Sequence, residues 1–334
     1  MKTGIDVRIS VPITMKIRQV CVLGGTGFVG HSLVCRLASS GRLVRVLSRH
    51  PQRHRDLGVL PQVDLQKADI HDRAQLTRHF AGCDCVVNLV GILNERNRDG
   101  QRFRDVHVAL PRKVMTACQN AGVQRLLHMS ALNADAGRGT SLYLRTKGEA
   151  EDLLHVETST GLAITRFRPS VIFGPGDSFF NRFRDLLKLS PVIFPLACAR
   201  TRFAPVYVGD VAEAFMSILE DPRSFDQRYD LCGPNVYTLR ELVQYTARIA
   251  GLKRYIMPLG KVLSQLQAVM LEFVPGKPFS YDNYLSLQVD SICQHNDFVR
   301  LGIEPQPLEA IVPAYLSNQN TRVHLDDLRM QARR

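Results

Sequence analysis

What the chain lacks narrows it first. It contains no run long enough to cross a bilayer as a helix, roughly 18 apolar residues or more, so a membrane span is not expected. It has no low-complexity tract and no fixed-period repeat, which excludes solenoid and linker-dominated architectures. Its first 15 residues carry charge but no apolar core followed by a cleavage site, so they do not read as a secretory signal. They form either a leader arm (1–15) or a stretch ahead of an alternative start at Met15. Zinc-site spacing is missing too, because Cys83-Asp84-Cys85 has no partner pair. The eight cysteines are scattered, and several lie in apolar patterns as reduced core thiols do. The expectation is a reducing compartment, the cytoplasm, with no metal. Peripheral attachment to the inner face of the cytoplasmic membrane is the alternative placement.

Acidic charge is also short. There are 43 Lys+Arg against 31 Asp+Glu, a formal net charge of +12. Basic clusters occur at Arg45, Arg49, Arg53, His54 and Arg55, and again at Arg96, Arg98, Arg102 and Arg104. Such a field attracts phosphates, nucleic acid or an anionic leaflet. No nucleic-acid module accompanies it and few aromatics interleave with the basic residues, so nucleic acid is not an expected partner. An anionic membrane, an acidic protein partner and a plain basic surface all stay open.

What is present is a rhythm of strands and helices. Apolar strand patterns fall at 17–24, 43–47, 63–68, 85–90, 125–130 and 162–167, with helices expected at 27–39, 103–120 and 143–159. That alternation predicts an α/β fold, a Rossmann-type parallel sheet covered by helices on both faces. After Pro169 the pattern changes to a smaller mixed C-terminal lobe. It includes a helix at 179–189, a helix capped by Asp210, a short strand at 229–231 and a capping box at Thr238–Glu241. The main part of the Rossmann domain is expected at 16–170. The smaller lobe is expected at 171–320, interleaved with the end of the sheet, and a basic tail at 321–334.

The first strand runs into Gly24-Gly25-Thr26-Gly27-Phe28-Val29-Gly30. Glycine early in such a loop permits a tight turn and close backbone approach to pyrophosphate, while Gly30 lets the helix pack near the strand. Thr26 can add a hydroxyl, and the free N–H groups of the helix start suit phosphate. The second strand selects the cofactor. It ends Leu47-Ser48-Arg49, with no acid from Gly41 through Arg55 to bind ribose hydroxyls. Ser48 and Arg49 suit a 2′-phosphate, with Arg45 or Arg53 able to assist, so NADPH/NADP is expected over NAD. Asp69 either meets the adenine amine or caps a loop.

Tyr143 and Lys147 share one helix face. In such a pair the lysine holds the nicotinamide ribose and lowers the phenol pKa, and the phenol exchanges a proton as hydride moves. The expected third group, a hydroxyl just beyond the fifth strand, is missing. Ser130 lies slightly early, and Ala131 and Leu132 cannot hydrogen-bond through a side chain. Either Ser130 with Asn133 compensates, or Ser130 only closes the strand and contacts cofactor.

Together these motifs, with Asn88-Leu89-Val90-Gly91 and Arg168-Pro169-Ser170-Val171-Ile172-Phe173-Gly174, resemble the extended and atypical short-chain dehydrogenase/reductase superfamily. His128-Met129-Ser130-Ala131-Leu132-Asn133-Ala134 and Tyr143 through Glu151 are similar to the atypical group that contains the NADPH-binding accessory subunit of respiratory complex I, as is Phe273-Val274-Pro275-Gly276-Lys277-Pro278-Phe279-Ser280. The resemblance implies bound NADPH and cofactor contacts from Gly24, Thr26, Gly27, Phe28, Val29, Gly30, Ser48, Arg49, Asp69, Leu89, Val90, Gly91, Lys147, Arg168 and Pro169. It implies membrane-associated respiratory or quinone-synthesis proteins as partners, with ubiquinone chemistry nearby. It leaves open whether Tyr143, Lys147 and Ser130 perform turnover on a lipophilic ketone or quinone-like substrate.

Two apolar stretches complete the reading. Residues 256–274 carry a helical stripe of Ile256, Leu259, Val262, Leu263, Leu266, Val269, Met270 and Phe273, with Pro258 able to delay the helix start. The stripe is either small-lobe core or an interface with lipid or a partner. Leu186–Leu196 is either a substrate wall or buried structure.

Overall fold

Six strands alternate with helices before residue 170, and the sequence pattern places each within one or two residues. They are β1 (Gln19–Leu23), β2 (Leu43–Ser48), β3 (Val63–Lys67), β4 (Cys85–Asn88), β5 (Arg125–Met129) and β6 (Ala163–Pro169). The later strands are β7 (Ile172–Phe173), β8 (Ile193–Leu196), β9 (Arg202–Phe203), β10 (Val206–Tyr207), β11 (Arg228–Leu231), β12 (Tyr237–Thr238) and β13 (Tyr255–Pro258). The computed structural model describes residues 15–95, 99–156, 161–274 and 279–317. The leader arm, Arg96, Arg98, Pro275 to Pro278 and the basic tail lie outside them.

The main sheet is parallel throughout, in the order β11-β6-β5-β4-β1-β2-β3. Its strands read as apolar runs because both faces are covered. In β1, Val20 and Val22 join one buried cluster with the helices Phe28–Ser39 and Val208–Ser217. Cys21 and Leu23 join the other, with the helices Arg73–Phe80, Leu110–Ala121 and Leu142–Val156. The order in which successive strands are added reverses between β1 and β4, and open sheets bind ligands at such a switch point. A third cluster, around Phe173, Phe180, Phe203, Leu242 and Val312, forms the core of the smaller group of elements beyond the strand ends.

Several local expectations change. The segment at 103–120 is not one regular helix. It comprises Gln101–Arg104, a π-helical turn Asp105–Ala109 and the helix Leu110–Ala121. Asp210 is not a cap: its helix begins at Val208, and Asp210 accepts Gln306 N–H at 2.7 Å. Residues 255–258 form β13 rather than a helix start, because Tyr255–Pro258 pairs with Ile193–Leu196. The capping box at Thr238 and Glu241 forms as expected. Not all cysteines are reduced, since Cys232 and Cys293 form a disulfide across a sequence separation of 61. The chain returns past the end of β11, where Asn296 Nδ2 donates to Cys232 O at 2.8 Å and brings the two together.

Candidate nucleotide site

The glycine loop lies at the switch point. Gly24 turns with φ +77°, in the left-handed region that favours glycine. A Cβ there would stand 3.2 Å from the Leu89 carbonyl carbon, so the turns after β1 and β4 touch. A Cβ on Gly30 would fall 2.1 Å from Gly24 O, a distance no side chain tolerates. Gly27 precedes the helix Phe28–Ser39, with no side-chain cap on its first N–H groups. Uncapped N–H groups and a cradle closed to side chains fit a pyrophosphate. Thr26 and Val29 are half-buried beside this turn. Half-buried Phe28 reaches the second group of elements, where a Cβ on Gly174 would meet its ring at 3.6 Å.

At the end of β2, Ser48 is buried and accepts His50 N–H at 3.3 Å. Arg49 is exposed and pairs with no described residue. Arg45 does not assist it: its guanidinium donates to His79 O at 2.7 Å and pairs with Asp64, between β2 and β3. Asp69 is exposed and accepts His71 N–H at 2.9 Å, the loop-capping alternative. After β4, Asn88 Oδ1 accepts Val90 N–H at 3.1 Å. A Cβ on Gly91 would stand 3.2 Å from Lys147 Nζ, so the β4 turn and the catalytic-type helix meet there.

Lys147 is buried and its Nζ donates to Met129 O at 3.0 Å. Burial pushes its ammonium down to about 8, opposed by the charge of Glu151. Tyr143 is half-buried, with its ring edge-on to His107 and Phe103 at centroid distances of 5.4 and 6.1 Å. Its hydroxyl makes no hydrogen bond to a described residue. Burial, followed by the Asp282 carboxylate, pushes the phenol up to about 12. The expected lowering by lysine is reversed.

Ser130 is the sharpest revision. Its hydroxyl donates to Glu151, a buried carboxylate that also takes Arg168 Nε at 2.9 Å and lies 3.7 Å from Arg228 Nη1. Arg168 likewise turns inward, onto Glu151, the Ala134 carbonyl and Asp230 at 3.9 Å, so its guanidinium is not directed at a nucleotide. The Pro169 carbonyl accepts Leu132 N–H at 3.0 Å. Asn133, left-handed at φ +63°, gives its side-chain amide to Asp290 O at 2.9 Å. It is committed elsewhere and does not replace the missing hydroxyl.

Four groups escaped the sequence reading. Glu151 was legible in principle, because Tyr143, Lys147 and Glu151 recur at every fourth residue on one helix face. His107 is carried inward by the π-turn, a feature frequent at functional sites. Its Nε2 accepts Ile92 N–H at 3.1 Å and its Nδ1 meets Thr146 Oγ1 at 3.0 Å, while burial holds its pKa down to about 2. Asp282 caps the Tyr143 helix from 139 positions away in sequence, without any local signal. His128 is buried with Nδ1 facing Asn88 Nδ2 at 3.3 Å and Nε2 unpartnered.

A parallel sheet with a glycine cradle at its switch point and a Tyr–Lys helix beside it defines a Rossmann-type NAD(P)-binding protein of the short-chain dehydrogenase/reductase class. Residues 20–232 match the NAD dependent epimerase/dehydratase family, and the chain belongs to it. It is similar to NADH dehydrogenase [ubiquinone] 1 alpha subcomplex subunit 9, mitochondrial, of Mus musculus, at 29% identity over 86% of this chain and 77% of that protein. It is 30% identical to a ceramide reductase of Caulobacter vibrioides over 70% of this chain and 71% of the relative. In fold it is similar to Thermus thermophilus UDP-glucose 4-epimerase in complex with NAD, with TM-score 0.61, 23% identity, and coverage of 80% of this chain and 98% of that one.

Proposed function

We propose that this protein holds NADP(H) as an accessory or assembly factor of a quinone-using respiratory complex or of quinone synthesis, with the nucleotide supporting structure more than turnover. One asymmetry carries the reading. The phosphate-facing groups end free, in uncapped helix N–H groups and an unpaired Arg49, whereas Ser130 of the catalytic set ends on Glu151. Gly24, Gly27 and Gly30 would hold the pyrophosphate, Ser48 and Arg49 the 2′-phosphate, and Lys147 beside Gly91 the ribose. When bound, such a dinucleotide supplies a hydride donor or acceptor. The chain's own contribution to chemistry is weak: Tyr143 keeps its proton up to about 12, and no hydroxyl at 131 or 132 orients a substrate oxygen. Similarity to the mouse complex I subunit over most of the chain supports the respiratory partner.

A second reading is an active NADP(H)-dependent reductase of a lipophilic ketone or quinone-like substrate. Tyr143 favours it, with its hydroxyl unengaged by described residues, as does the relative named a ceramide reductase.

The nucleotide content of the purified protein tests both. The first reading expects retained NADPH, no oxidation of it across a panel of quinones and ketones, and loss of nucleotide in Gly30→Ala. Full supporting activity from a nucleotide-free Gly30→Ala protein would sink it. Measurable turnover that Tyr143→Phe abolishes while nucleotide stays bound would establish the second.

A further inference from the structure

The helix Lys261–Leu271 presents its apolar residues outward. Its buried positions are the small Ser264 and Ala268. Val262, Leu263, Leu266, Val269 and Met270 are all exposed, Val262 at 77% and Met270 at 63%. Their spacing puts them on one stripe, so the part of the sequence stripe from Val262 to Met270 forms and faces outward, whereas Ile256, in β13, enters the small-lobe core. The helix is held from behind: Gln267 Nε2 donates to Pro195 O at 2.9 Å, and Ser264 Oγ meets Cys198 N–H at 3.5 Å. Apolar side chains are also exposed on β8 and β13. β8 and β13 pair with Tyr255 opposite Ile193, and both of these side chains are exposed. Leu189 and Val192, on the approach to β8, are exposed as well.

Cations border this band. Lys188, Lys253 and Lys261 are exposed along it. Arg254, half-buried beside them, donates to Leu187 O at 3.1 Å. Nearby acids are fewer: Asp185 pairs with Arg184, and Glu272 is half-buried. Interfaces between proteins are depleted in lysine. A helix with an apolar face and lysine-bearing margins is instead the composition that lies in the plane of an anionic bilayer. A stripe of five exposed apolar residues on one helix, Val262 to Met270, marks an interaction site rather than ordinary solvent-facing surface.

We propose that this face docks on an anionic phospholipid bilayer, with Val262, Leu266 and Met270 entering the boundary between headgroups and acyl chains. Lys188, Lys253 and Lys261 pair with the lipid phosphates. The proposal rests on this surface alone and stands whether or not the nucleotide reading holds.

Co-sedimentation of the full chain with vesicles tests it, using phosphatidylcholine alone and phosphatidylcholine mixed with phosphatidylglycerol. The protein is expected to pellet with the anionic vesicles, to do so weakly with the neutral ones, and to be released by salt. The triple variant Val262→Glu, Leu266→Glu, Met270→Glu should stay in the supernatant with its thermal transition kept. Lys253→Gln with Lys261→Gln should weaken binding on the order of tenfold or more. No binding to anionic vesicles, or equal binding by the triple variant, overturns the proposal. Self-association abolished by the triple variant, without vesicle binding, also overturns it and assigns the face to a second copy. Retained NADPH in a preparation that ignores vesicles sinks the docking surface and leaves the nucleotide reading intact.

Discussion

The carboxylate of Asp282 accepts the backbone N–H of Leu142 at 2.7 Å and that of Tyr143 at 3.3 Å. It closes the start of the helix that carries Tyr143, Lys147 and Glu151, where N–H groups otherwise lack partners. Its own short helix, Tyr281–Ser286, is tied down beside it, with Ser286 Oγ on Ser141 Oγ at 2.8 Å and Asn283 Nδ2 on Leu93 O at 3.1 Å. A segment late in the chain therefore sets the geometry of a site that the first half encodes. Asp282→Ala should cost about 1 kcal/mol of stability, within the range for lost N-caps. Urea denaturation measures that loss, and amide exchange at Leu142 and Tyr143 should quicken. Unchanged protection there would remove Asp282 from its positioning role.

The proposed role of Arg49 is to separate the two dinucleotides. A guanidinium on a 2′-phosphate makes charge-assisted hydrogen bonds worth roughly 1.5–3 kcal/mol. Arg49→Glu should therefore weaken NADPH binding by about tenfold to a hundredfold and leave NADH nearly untouched. Titration calorimetry with both nucleotides checks this. Equal losses for the two would place Arg49 away from the 2′ position.

Ser130 separates structure from chemistry. Removing its hydroxyl takes a donor from a buried carboxylate, which costs about 1–3 kcal/mol. Ser130→Ala should lower the unfolding free energy by that amount and leave nucleotide retention unchanged. A variant as stable as the parent but slower in any measured turnover would return Ser130 to the reacting centre.

Stability should respond to pH in two opposite limbs on the alkaline side. The Lys147 ammonium, pushed down to about 8 from an ordinary 10.5, is neutral in the folded chain while still charged in the unfolded one. In that window the unfolded chain binds the extra proton, so stability rises with pH, by roughly 3 kcal/mol in all. Tyr143 opposes this above pH 10, since the unfolded phenol loses its proton first and stability falls toward about 12. Lys147→Met should flatten the rising limb in chemical denaturation. On the acid side, His107 and His128 are buried neutral, with burial as the main cause. Below the ordinary 6.5, the unfolded chain takes protons that the folded chain refuses. Each histidine then removes about 1.4 kcal/mol per pH unit, and His107→Gln should lessen that slope accordingly.

The Rossmann half was legible because its determinants are local. Doubly covered strands such as Cys85–Asn88 are apolar at every position but the last, and Gly24 and Gly30 stand where a Cβ has no room. The apolar stripe of 262–270 was legible too, but not the side it faces, since spacing fixes a helix face and not its neighbour. What escaped depends on distant contacts. Ser130 reads as a candidate donor until Glu151 lies beside it. Asp210 reads as a cap until Gln306 takes its carboxylate. Cys232 and Cys293 read as separate thiols until Asn296 draws the returning chain against β11.

The seventh strand of the sheet has a consequence for biosynthesis. β6 ends at Pro169, whereas β11, which covers its open edge, begins only at Arg228. Arg125, fully buried in β5, also waits for partners made late, because its guanidinium donates to Ser224 Oγ at 2.7 Å and to Ile218 O at 3.4 Å. A ribosome that has released the nucleotide-type half thus holds a chain whose β6 edge is unpaired and whose Arg125 has Thr165 and Ala163 as acceptors but not yet Ser224 and Ile218. Such intermediates aggregate. The sheet of this chain is therefore expected to be complete only once translation has passed Leu231.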